Sequence, residues 1–265
     1  MEIYFEIVTV PTDRDDLRLA IDERYPLLSD PEPVTADKRL TDPAKIAADI
    51  ASREKRALND LYAKNRLATQ RRMDAFLDTA LDGGAGRIVA IAIAIDDQPV
   101  AVTAKDPDLG GEEQMLSQLG QYLRDLRACP DDITVVAHHA DFALRFIFQR
   151  AVCLGVLDVL PAWWPQLLLS RLDPRVFCTM TRWAGWGNRI ELSSLCRSLR
   201  LPVHDDVTGA DVYRLWINHR YGDIADHSAD EVRRVRCVHR RMTIRDPLQA
   251  DLDELLSVSP NEEAA

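Results

Sequence analysis

Two glutamates occupy segments of the sequence in which most neighbouring residues are apolar. Glu6 lies within YFEIVTVPT (residues 4–12), whose aromatic and β-branched residues are typical of a buried strand. Glu231 lies within IADHSADEVRRVRCVHRRM (residues 224–242), where His227 precedes it by four residues. Divalent cations such as Mg²⁺ bind carboxylate oxygens, and a histidine with a pKa near neutrality can act as a general base. These side chains are therefore either structural groups or the remnant of a metal site.

The spacing within the second segment indicates which way its polar side chains point. Ile224, His227, Glu231, Val235 and Val238 recur at intervals of three and four residues, so they form one stripe along a helix. The apolar members of this stripe are expected to face a core. The pattern therefore predicts that the histidine and the glutamate point inward with them.

Two adjacent histidines follow a short apolar run in the middle of the chain. ITVVAHH (residues 133–139) predicts a short buried strand, and DFALRFIFQRAVCLGV (residues 141–156) predicts a buried helix with Asp141 as its N-cap. Imidazole binds Zn²⁺ and Mn²⁺. His138 and His139 could therefore join His227 and either Glu6 or Glu231 in a single-metal site. The alternative is that both histidines hold the loop in place.

The remaining segments predict a mixed sheet flanked by helices. RIVAIAIAIDDQPVAVTA (residues 87–104) reads as a hairpin that turns at its Asp-Asp dipeptide, and residues 110–128 read as an amphipathic helix. The chain after Val176 is predicted to be helical, and residues 43–79 predict one or two exposed helices. Strands first and then strand–helix alternation are typical of an α/β domain.

Three of these segments, in this order, resemble those of a known family. They are YFEIVTVPT, then VVAHHADFALRFIFQRAVCLGV, then VFCTMTRWAG with IADHSADEVRRVRCVHRRM. Together they resemble the predicted 3′→5′ exonucleases related to the proofreading domain of family B DNA polymerases, a DEDD group with an RNase H-like fold. The similarity extends from residue 3 to about residue 243. Further positions that match the family's pattern are Arg145, Phe146, Arg150, Thr179, Met180, Trp183 and residues 240–242.

The resemblance implies an RNase H-like mixed sheet flanked by helices, in one domain that covers residues 1–257. Residues 43–79 are then a helical insertion, and residues 258–265 are expected to be a disordered acidic tail. The implied activity is phosphodiester hydrolysis at DNA or RNA ends with Mg²⁺ or Mn²⁺ as the cofactor.

The family's reaction needs four carboxylates around two divalent ions. The resemblance places Glu6 and Glu231 at the first and last of these positions, which implies that both are metal ligands. With His227 in place of the usual tyrosine, they are also the implied catalytic residues. Val8 and Ala143 stand at the other two positions and offer no oxygen. Because two carboxylates are far fewer than two Mg²⁺ ions require, we expect hydrolysis to be weakened or lost.

The resemblance also implies a nucleic-acid partner, either a single-stranded end or a duplex. His138, Phe142, Arg145 and Trp183 are the residues that we expect to contact it. Trp163, Trp164 and Trp186 could likewise stack on bases, although tryptophans near glycine and proline are commonly packing residues. A protein of this fold that no longer meets nucleic acid, and serves as a scaffold or regulator, is the alternative function.

Two groups of basic residues could track a phosphate backbone, but solvated helix faces would produce the same pattern because acidic residues are interspersed in both. The members of these groups are Arg53, Lys55, Arg56, Lys64, Arg66, Arg71 and Arg72, and then Arg233, Arg234, Arg236, Arg240, Arg241 and Arg245.

Composition narrows the class of protein. The formal net charge of −10 over 265 residues disfavours indiscriminate binding to nucleic acid, which relies on a basic field. Five scattered cysteines without a CxxC pair predict free thiols. No run approaches the ~20 apolar residues that a membrane span needs, so we expect a cytoplasmic protein without a membrane partner. The sequence contains no P-loop, dinucleotide fingerprint or Gly-x-Ser-x-Gly elbow, and it does not indicate an oligomeric state.

Overall fold

The computed structural model describes residues 1–104, 111–169, 173–203 and 207–257. The predicted acidic tail at residues 258–265 lies outside this part of the chain.

The chain divides into two compact units. The larger unit is formed by Met1–Pro11 together with the residues from Ala80 onward, and the smaller unit by Thr12–Thr79. The segment predicted as an insertion, residues 43–79, is thus one part of the smaller unit.

Within the described residues, the larger unit contains a five-stranded mixed sheet with the strand order β3-β2-β1-β4-β5. Strands β1, β2 and β3 pair antiparallel, whereas β4 runs parallel to β1 and β5 runs parallel to β4. The predicted mixed α/β architecture is confirmed. The strands are β1 (Glu2–Val10), β2 (Arg87–Ile95), β3 (Ala101–Ala104), β4 (Thr134–Ala137) and β5 (Val176–Cys178).

The two central strands form because nearly all of their residues are apolar. In β2, every residue after Arg87 is buried, so both faces of this strand are covered. The register pairs Glu6 with Ala92 and Val8 with Ala90, and a bulge follows Val8.

Successive residues of β1 point to opposite faces of the sheet and enter different cores. Ile3, Phe5 and Ile7 pack in the core that contains residues of α3 and α4. Tyr4 packs with residues of α6, α8 and α9, and Val8 packs with residues of α7 and α8. The helices of this unit are α3 (Glu112–Asp125), α4 (Ala140–Cys153), α5 (Thr179–Ala184), α6 (Leu192–Ser198), α7 (Gly209–Ile217), α8 (Tyr221–Met242) and α9 (Gln249–Ser257).

Two local predictions in the larger unit were wrong. The chain after Val176 is not wholly helical, because residues 176–178 form the edge strand β5 before α5 begins. Asp141 is not the N-cap of α4, since His139 occupies that position without a side-chain capping bond. The side chain of Asp141 is instead exposed within the first turn, where it accepts a hydrogen bond from Arg145.

The smaller unit consists of α1 (Asp15–Arg24) and α2 (Pro43–Asp78), a single helix of 36 residues. Asp42 caps α2 by accepting a hydrogen bond from the amide of Ala44, and proline is well suited to the first helical position. Leu61 is the one residue of α2 that is fully buried, which fits the prediction of exposed helix in this segment.

Across the described ranges, no helix combines the length and the apolar character that crossing a membrane requires. All five cysteines are free thiols, as their spacing predicted.

Candidate functional site

Glu6 and Glu231 come together although 225 positions separate them in the sequence, because α8 crosses the face of β1 that carries Glu6. The neighbours of Glu6 on that face, Tyr4 and Val8, are buried. Burial, which is the larger cause, and the negative charge of Glu231 together raise the pKa of Glu6 to about 8. A hydrogen bond from the backbone amide of Ile7 has the opposite effect and lowers the pKa of Glu6.

Glu231 lies deep in the same place and has a basic partner. Burial raises the pKa of its carboxyl group, while the charge of Arg234 lowers it. The Arg234 guanidinium donates to Glu231 Oε1 over 3.2 Å, and its side chain is only 6% exposed. Glu231 is therefore paired with a buried cation that belongs to the protein itself.

His227 lies on the inward stripe of α8, as the sequence predicted. Ile224, Val235 and Val238 of that stripe are buried, and His227 and Glu231 are partly buried beside them. Burial lowers the pKa of His227 to about 4, and the charge of Arg234 acts in the same direction. The imidazole is thus neutral at pH 7 and is a weaker base than an ordinary histidine.

The oxygen ligands in this place do not fit two divalent ions. Val8 is buried among apolar residues of α7 and α8, and Ala143 is buried in the core with α3 and α4. The hydroxyl of Ser228 is buried and finds no hydrogen-bond partner among the described residues, but a neutral hydroxyl does not replace a missing carboxylate. Nowhere in the described ranges do three or more His, Cys, Asp or Glu side chains form a group that could hold a metal ion.

His138 is committed to contacts within the fold. Its Nδ1 lies 2.9 Å from Thr179 Oγ1, and its Nε2 lies 2.8 Å from the carbonyl oxygen of Ile190. Burial lowers its pKa, so the ring is neutral and connects the end of β4 to α5 and to the segment before α6. Both ring nitrogens are used, which leaves neither for a single-metal site.

The other predicted nucleic-acid contacts lie along α4 and α5. Phe142 is partly buried between His139, on which it stacks with ring centroids 5.4 Å apart, and Phe146. Arg145 is exposed and pairs with Asp141. Trp183 is 46% exposed on α5. The contacts of Phe142 and Arg145 are with neighbours on or beside α4, and none of them involves Trp183 or Glu6.

A cavity of about 630 Å³ lies beside these residues, at the carboxyl ends of β4 and β5. The parallel register of β1 and β4, continued by two residues, places Glu6 level with His138, so the cavity and Glu6 belong to the same end of the sheet. In parallel sheets this end is the usual place for ligands. The cavity is lined by His139, Ala140, Asp141, Leu144, Leu167, Leu168, Asp173, Pro174, Val176, Cys178, Met180, Thr181, Arg182, Trp186, Gly187, Asn188 and Arg189.

The charges of this cavity that are not neutralised by an ion pair are positive, because its two aspartates, Asp141 and Asp173, are each paired with an arginine. Asp173 accepts two hydrogen bonds from the Arg175 guanidinium and one from the Arg175 backbone amide, and these lower the pKa of its carboxyl group. Arg182 and Arg189 form no ion pair with any residue that the structure describes, although the Arg182 guanidinium lies over the ring of Phe177, 5.0 Å from its centroid. Trp186 is 57% exposed at the rim. An apolar floor with two guanidinium groups and an indole suits a ligand that has both a flat ring and an anionic group.

Most of these cavity residues were not singled out from the sequence. Trp186 was noted as a residue that could stack on a base, but nothing in the spacing of Arg182 and Arg189 distinguished them from other surface arginines. Their significance depends on the turn after α5, where Gly185 and Gly187 adopt positive φ angles.

The second basic group, which extends from Arg233 on α8 to Arg245 just after it, is engaged in internal pairs. Arg236 forms a buried ion pair with Asp251, Arg240 pairs with Asp97, and Arg245 donates to Glu2 over 2.6 Å. These basic residues therefore form ion pairs within the protein and stabilise the fold. In the smaller unit, Lys64 pairs with Glu32, whereas other members such as Lys55 and Arg66 are exposed.

No protein-family model matches this chain, and a search of curated proteins finds no match either.

Proposed function

We propose that this chain is an RNase H-like protein of the 3′→5′ exonuclease type that binds DNA or RNA ends and whose two-metal hydrolysis is weakened or lost. The observation that carries the proposal is the meeting of Glu6 on β1 with Glu231 on α8. These are the two carboxylates that the resemblance assigns to the first and last metal ligands, and they come together from opposite ends of the sequence.

The topology supports this assignment. Three antiparallel strands come first in the sequence, two parallel strands follow, and the helix with the last acid packs across β1, β2 and β3. The resemblance to an RNase H-like fold requires the strand with the first acid, β1, to lie against the helix with the last acid, α8. The observed order of strands and helices agrees with this requirement.

The cavity beside α5 provides the site for a terminal nucleotide. Its volume lies in the range of small-molecule pockets, and Trp186 offers an aromatic surface for a base. Arg182 and Arg189 can donate to phosphate oxygens, and Arg is well suited to bidentate phosphate contacts. The side chains that bind the nucleotide are therefore different from those that would catalyse hydrolysis, so binding does not depend on the missing acids.

Hydrolysis is weakened because the oxygen ligands are too few. Glu6 and Glu231 are the two carboxyl groups that the resemblance assigns as metal ligands and that meet between β1 and α8, and burial favours the protonated form of Glu6, whose pKa is raised to about 8. A protonated carboxyl group is a poor ligand for Mg²⁺.

The test is fluorescence anisotropy with a 5′-labelled single strand of about 12 nucleotides. We expect Arg182→Glu with Arg189→Glu to weaken binding at least about tenfold, since two phosphate contacts become repulsive. Arg214→Glu is the matched control, because Arg214 is an exposed arginine on α7 that does not line the cavity.

The same labelled strand should keep its length in MnCl₂. Shortening of the strand that Glu6→Ala abolishes would show that hydrolysis survives. A chain that binds no oligonucleotide at low salt would instead be the non-catalytic scaffold that the resemblance leaves as the alternative.

A further inference from the structure

We propose that the cavity beside α5 binds a phosphate monoester through Arg189 and His139, so that the nucleic-acid end proposed above is a phosphorylated end. The inference rests on the proposed function and names the chemical group that the site recognises. Because free nucleotides carry the same group, the experiment below separates the two sources of it.

The ring nitrogens of His139 are the first support. His139 is partly buried and lines the cavity, and no residue that the structure describes forms a hydrogen bond with its imidazole. The neighbouring His138 differs, because both of its ring nitrogens have partners within the fold. A polar ring that lines a cavity and has no hydrogen-bond partner in the protein is available to a ligand.

The imidazole of His139 is also fixed in its orientation. One face of the ring stacks on Phe142, with the centroids 5.4 Å apart and the planes inclined by 21°. His139 is the N-cap residue of α4, so the start of the helix fixes its backbone. A side chain that is already ordered loses little conformational freedom when a ligand binds, which favours affinity.

Arg189 contributes a positive charge to the same cavity. Burial, which is the larger cause, and the charge of Arg189 both lower the pKa of His139, while the charge of Asp141 raises it. The guanidinium is therefore close enough to act on the imidazole. A guanidinium has five N–H donors and a neutral imidazole has one, so the two groups together can bind several oxygens of one anion.

The carboxylates of the cavity do not prevent an anion from binding. Asp141 pairs with Arg145 over 2.9 Å, and Asp173 pairs with Arg175 over 2.7 Å. These two arginines are not among the residues that line the cavity. The charge of Arg189 is therefore left for a ligand.

A phosphate monoester fits this site better than a phosphate inside a strand. At pH 7 a monoester has a charge of about −1.5 to −2 and presents three oxygens that accept hydrogen bonds. A phosphodiester has one negative charge, and the strand continues on both sides of it. A cavity of about 630 Å³ accommodates the end of a strand, and the donors of Arg189 and His139 meet there.

The experiment is fluorescence anisotropy on the full chain with three strands of about 12 nucleotides that carry the label on an internal base. One strand has a 5′-phosphate, one has a 3′-phosphate, and one has hydroxyl groups at both ends. We expect one phosphorylated strand to bind at least about tenfold more tightly than the hydroxyl-ended strand, because charge-assisted hydrogen bonds are added. Equal affinity for all three strands would overturn the inference and leave the proposed binding of strand ends intact.

Two variants test the residues through this preference, the ratio of the two affinities. His139→Phe keeps a ring on Phe142 and removes the nitrogens, so we expect the preference to fall at least about fivefold. Arg189→Gln should remove most of it, and this variant keeps the test decisive if His139→Phe does not fold, because Arg189 is exposed. An undiminished preference in Arg189→Gln, or in a folded His139→Phe, would contradict the inference.

Arg214→Gln is the matched control for Arg189→Gln. Arg214 is exposed on α7, pairs with Asp211 and does not line the cavity. This variant should keep the full preference for the phosphorylated strand. A loss equal to that of Arg189→Gln would show that the preference comes from the general charge of the protein, and the inference would be wrong.

Calorimetry with adenosine 3′-monophosphate, adenosine 5′-monophosphate and adenosine separates the two sources of the monoester. Saturable heat from a monophosphate that Arg189→Gln abolishes, without binding of any strand, would support the inference with a free nucleotide as the ligand, and the proposed function would fail. Absence of binding by every strand and every nucleotide would overturn both.

Discussion

Glu6 is the one acidic residue in the middle of β1, and its surroundings keep it protonated. Its neighbours on the same face of the strand are buried, and Glu231 faces it from α8. Burial and the repulsion from Glu231 together raise its pKa to about 8. In the unfolded chain the same group titrates near its ordinary value of 4.5.

This difference makes stability depend on pH. Because the folded pKa is raised, the contribution of Glu6 is fully present below pH 4.5 and is lost as the pH rises through about 8. Glu6→Gln removes the titration, so we expect it to raise the Tm at pH 9 by about 3 °C or more and to leave the Tm at pH 4.5 nearly unchanged. Thermal unfolding at both pH values checks this. Equal shifts at the two pH values would contradict it.

His239 is a buried histidine in a network at the start of β1. Its Nδ1 lies 3.0 Å from the hydroxyl of Tyr4, which donates to Glu2, and its ring meets Phe177 edge-on. Burial lowers its pKa to about 4; the charge of Glu2 acts against this, and the charges of Arg245 and Arg240 act with it. The ring is therefore neutral at physiological pH.

The effect of pH on stability through His239 has the opposite sign to the effect through Glu6. A depressed folded pKa means that the contribution to stability is present above pH 6.5 and is lost as the pH falls through about 4. We expect His239→Gln to destabilise the protein at pH 7.5, because the ring contacts are lost, but by a smaller amount at pH 4.5. The difference between the two unfolding curves across this range is the measurement. A penalty that does not shrink with falling pH would show that the ring stays charged in the fold.

The sequence anticipated some of these side chains and not others. The inward stripe of α8 was predictable, because helical spacing alone places His227 and Glu231 among buried apolar residues. Arg234 was not, since it stands in a run of basic residues that reads as a solvated face. Its burial depends on where α6 and β1 lie, and single-sequence spacing contains no information about that.

The packing of helix α3 against the segment after α4 depends on Gly120, which has no side chain. Gly120 is buried against the segment that follows α4, and a Cβ atom added to it would lie 1.8 Å from the carbonyl oxygen of Val159. The guanidinium of Arg124 donates to the same carbonyl. A residue with any side chain at position 120 would force these segments apart.

We expect Gly120→Ala to destabilise the protein by about 1–3 kcal/mol, as overpacking of a core does, although alanine favours a helix. Gly222→Ala is the matched control, because Gly222 lies in α8 with no atom within 4 Å of the added methyl group. That change should stabilise the protein by about 0.5–1 kcal/mol. Denaturant unfolding of the two variants compares them directly. Similar effects of the same sign would contradict the packing at Gly120.

The long elements were predictable and the short ones were not. Strand β2 and helix α8 have patterns long enough to identify from the sequence. Strand β5 has three residues and no alternation to detect, so its pairing with β4 decides its structure. Helix α4 was predicted in the right place, but its N-cap was misjudged, because Asp141 resembles an N-cap whereas His139, two residues earlier, occupies that position.

For the molecule as a whole, net charge restricts how nucleic acid could bind. A formal charge of −10 gives no broad attraction to phosphate, so binding must come from a local group of cations. The larger unit offers Arg182 and Arg189 at its cavity, while the basic residues of α8 are engaged within the fold.

The salt dependence of binding follows from this small number of contacts. With about two phosphates neutralised, the slope of log K against log salt for a single strand should be near −1.4. Anisotropy titrations over a range of salt concentrations measure it. A slope several times steeper would place the binding surface elsewhere, for instance on the exposed cations of the smaller unit.

The most direct measurement is X-ray diffraction from crystals of the unaltered protein soaked in MnCl₂, with data collected at the manganese absorption edge. We expect no pair of anomalous peaks between Glu6 and Glu231, because two buried carboxyl groups and an internal arginine leave no ligand set for two ions. Two peaks there, about 3.5–4 Å apart, would show a working two-metal centre and contradict the central claim.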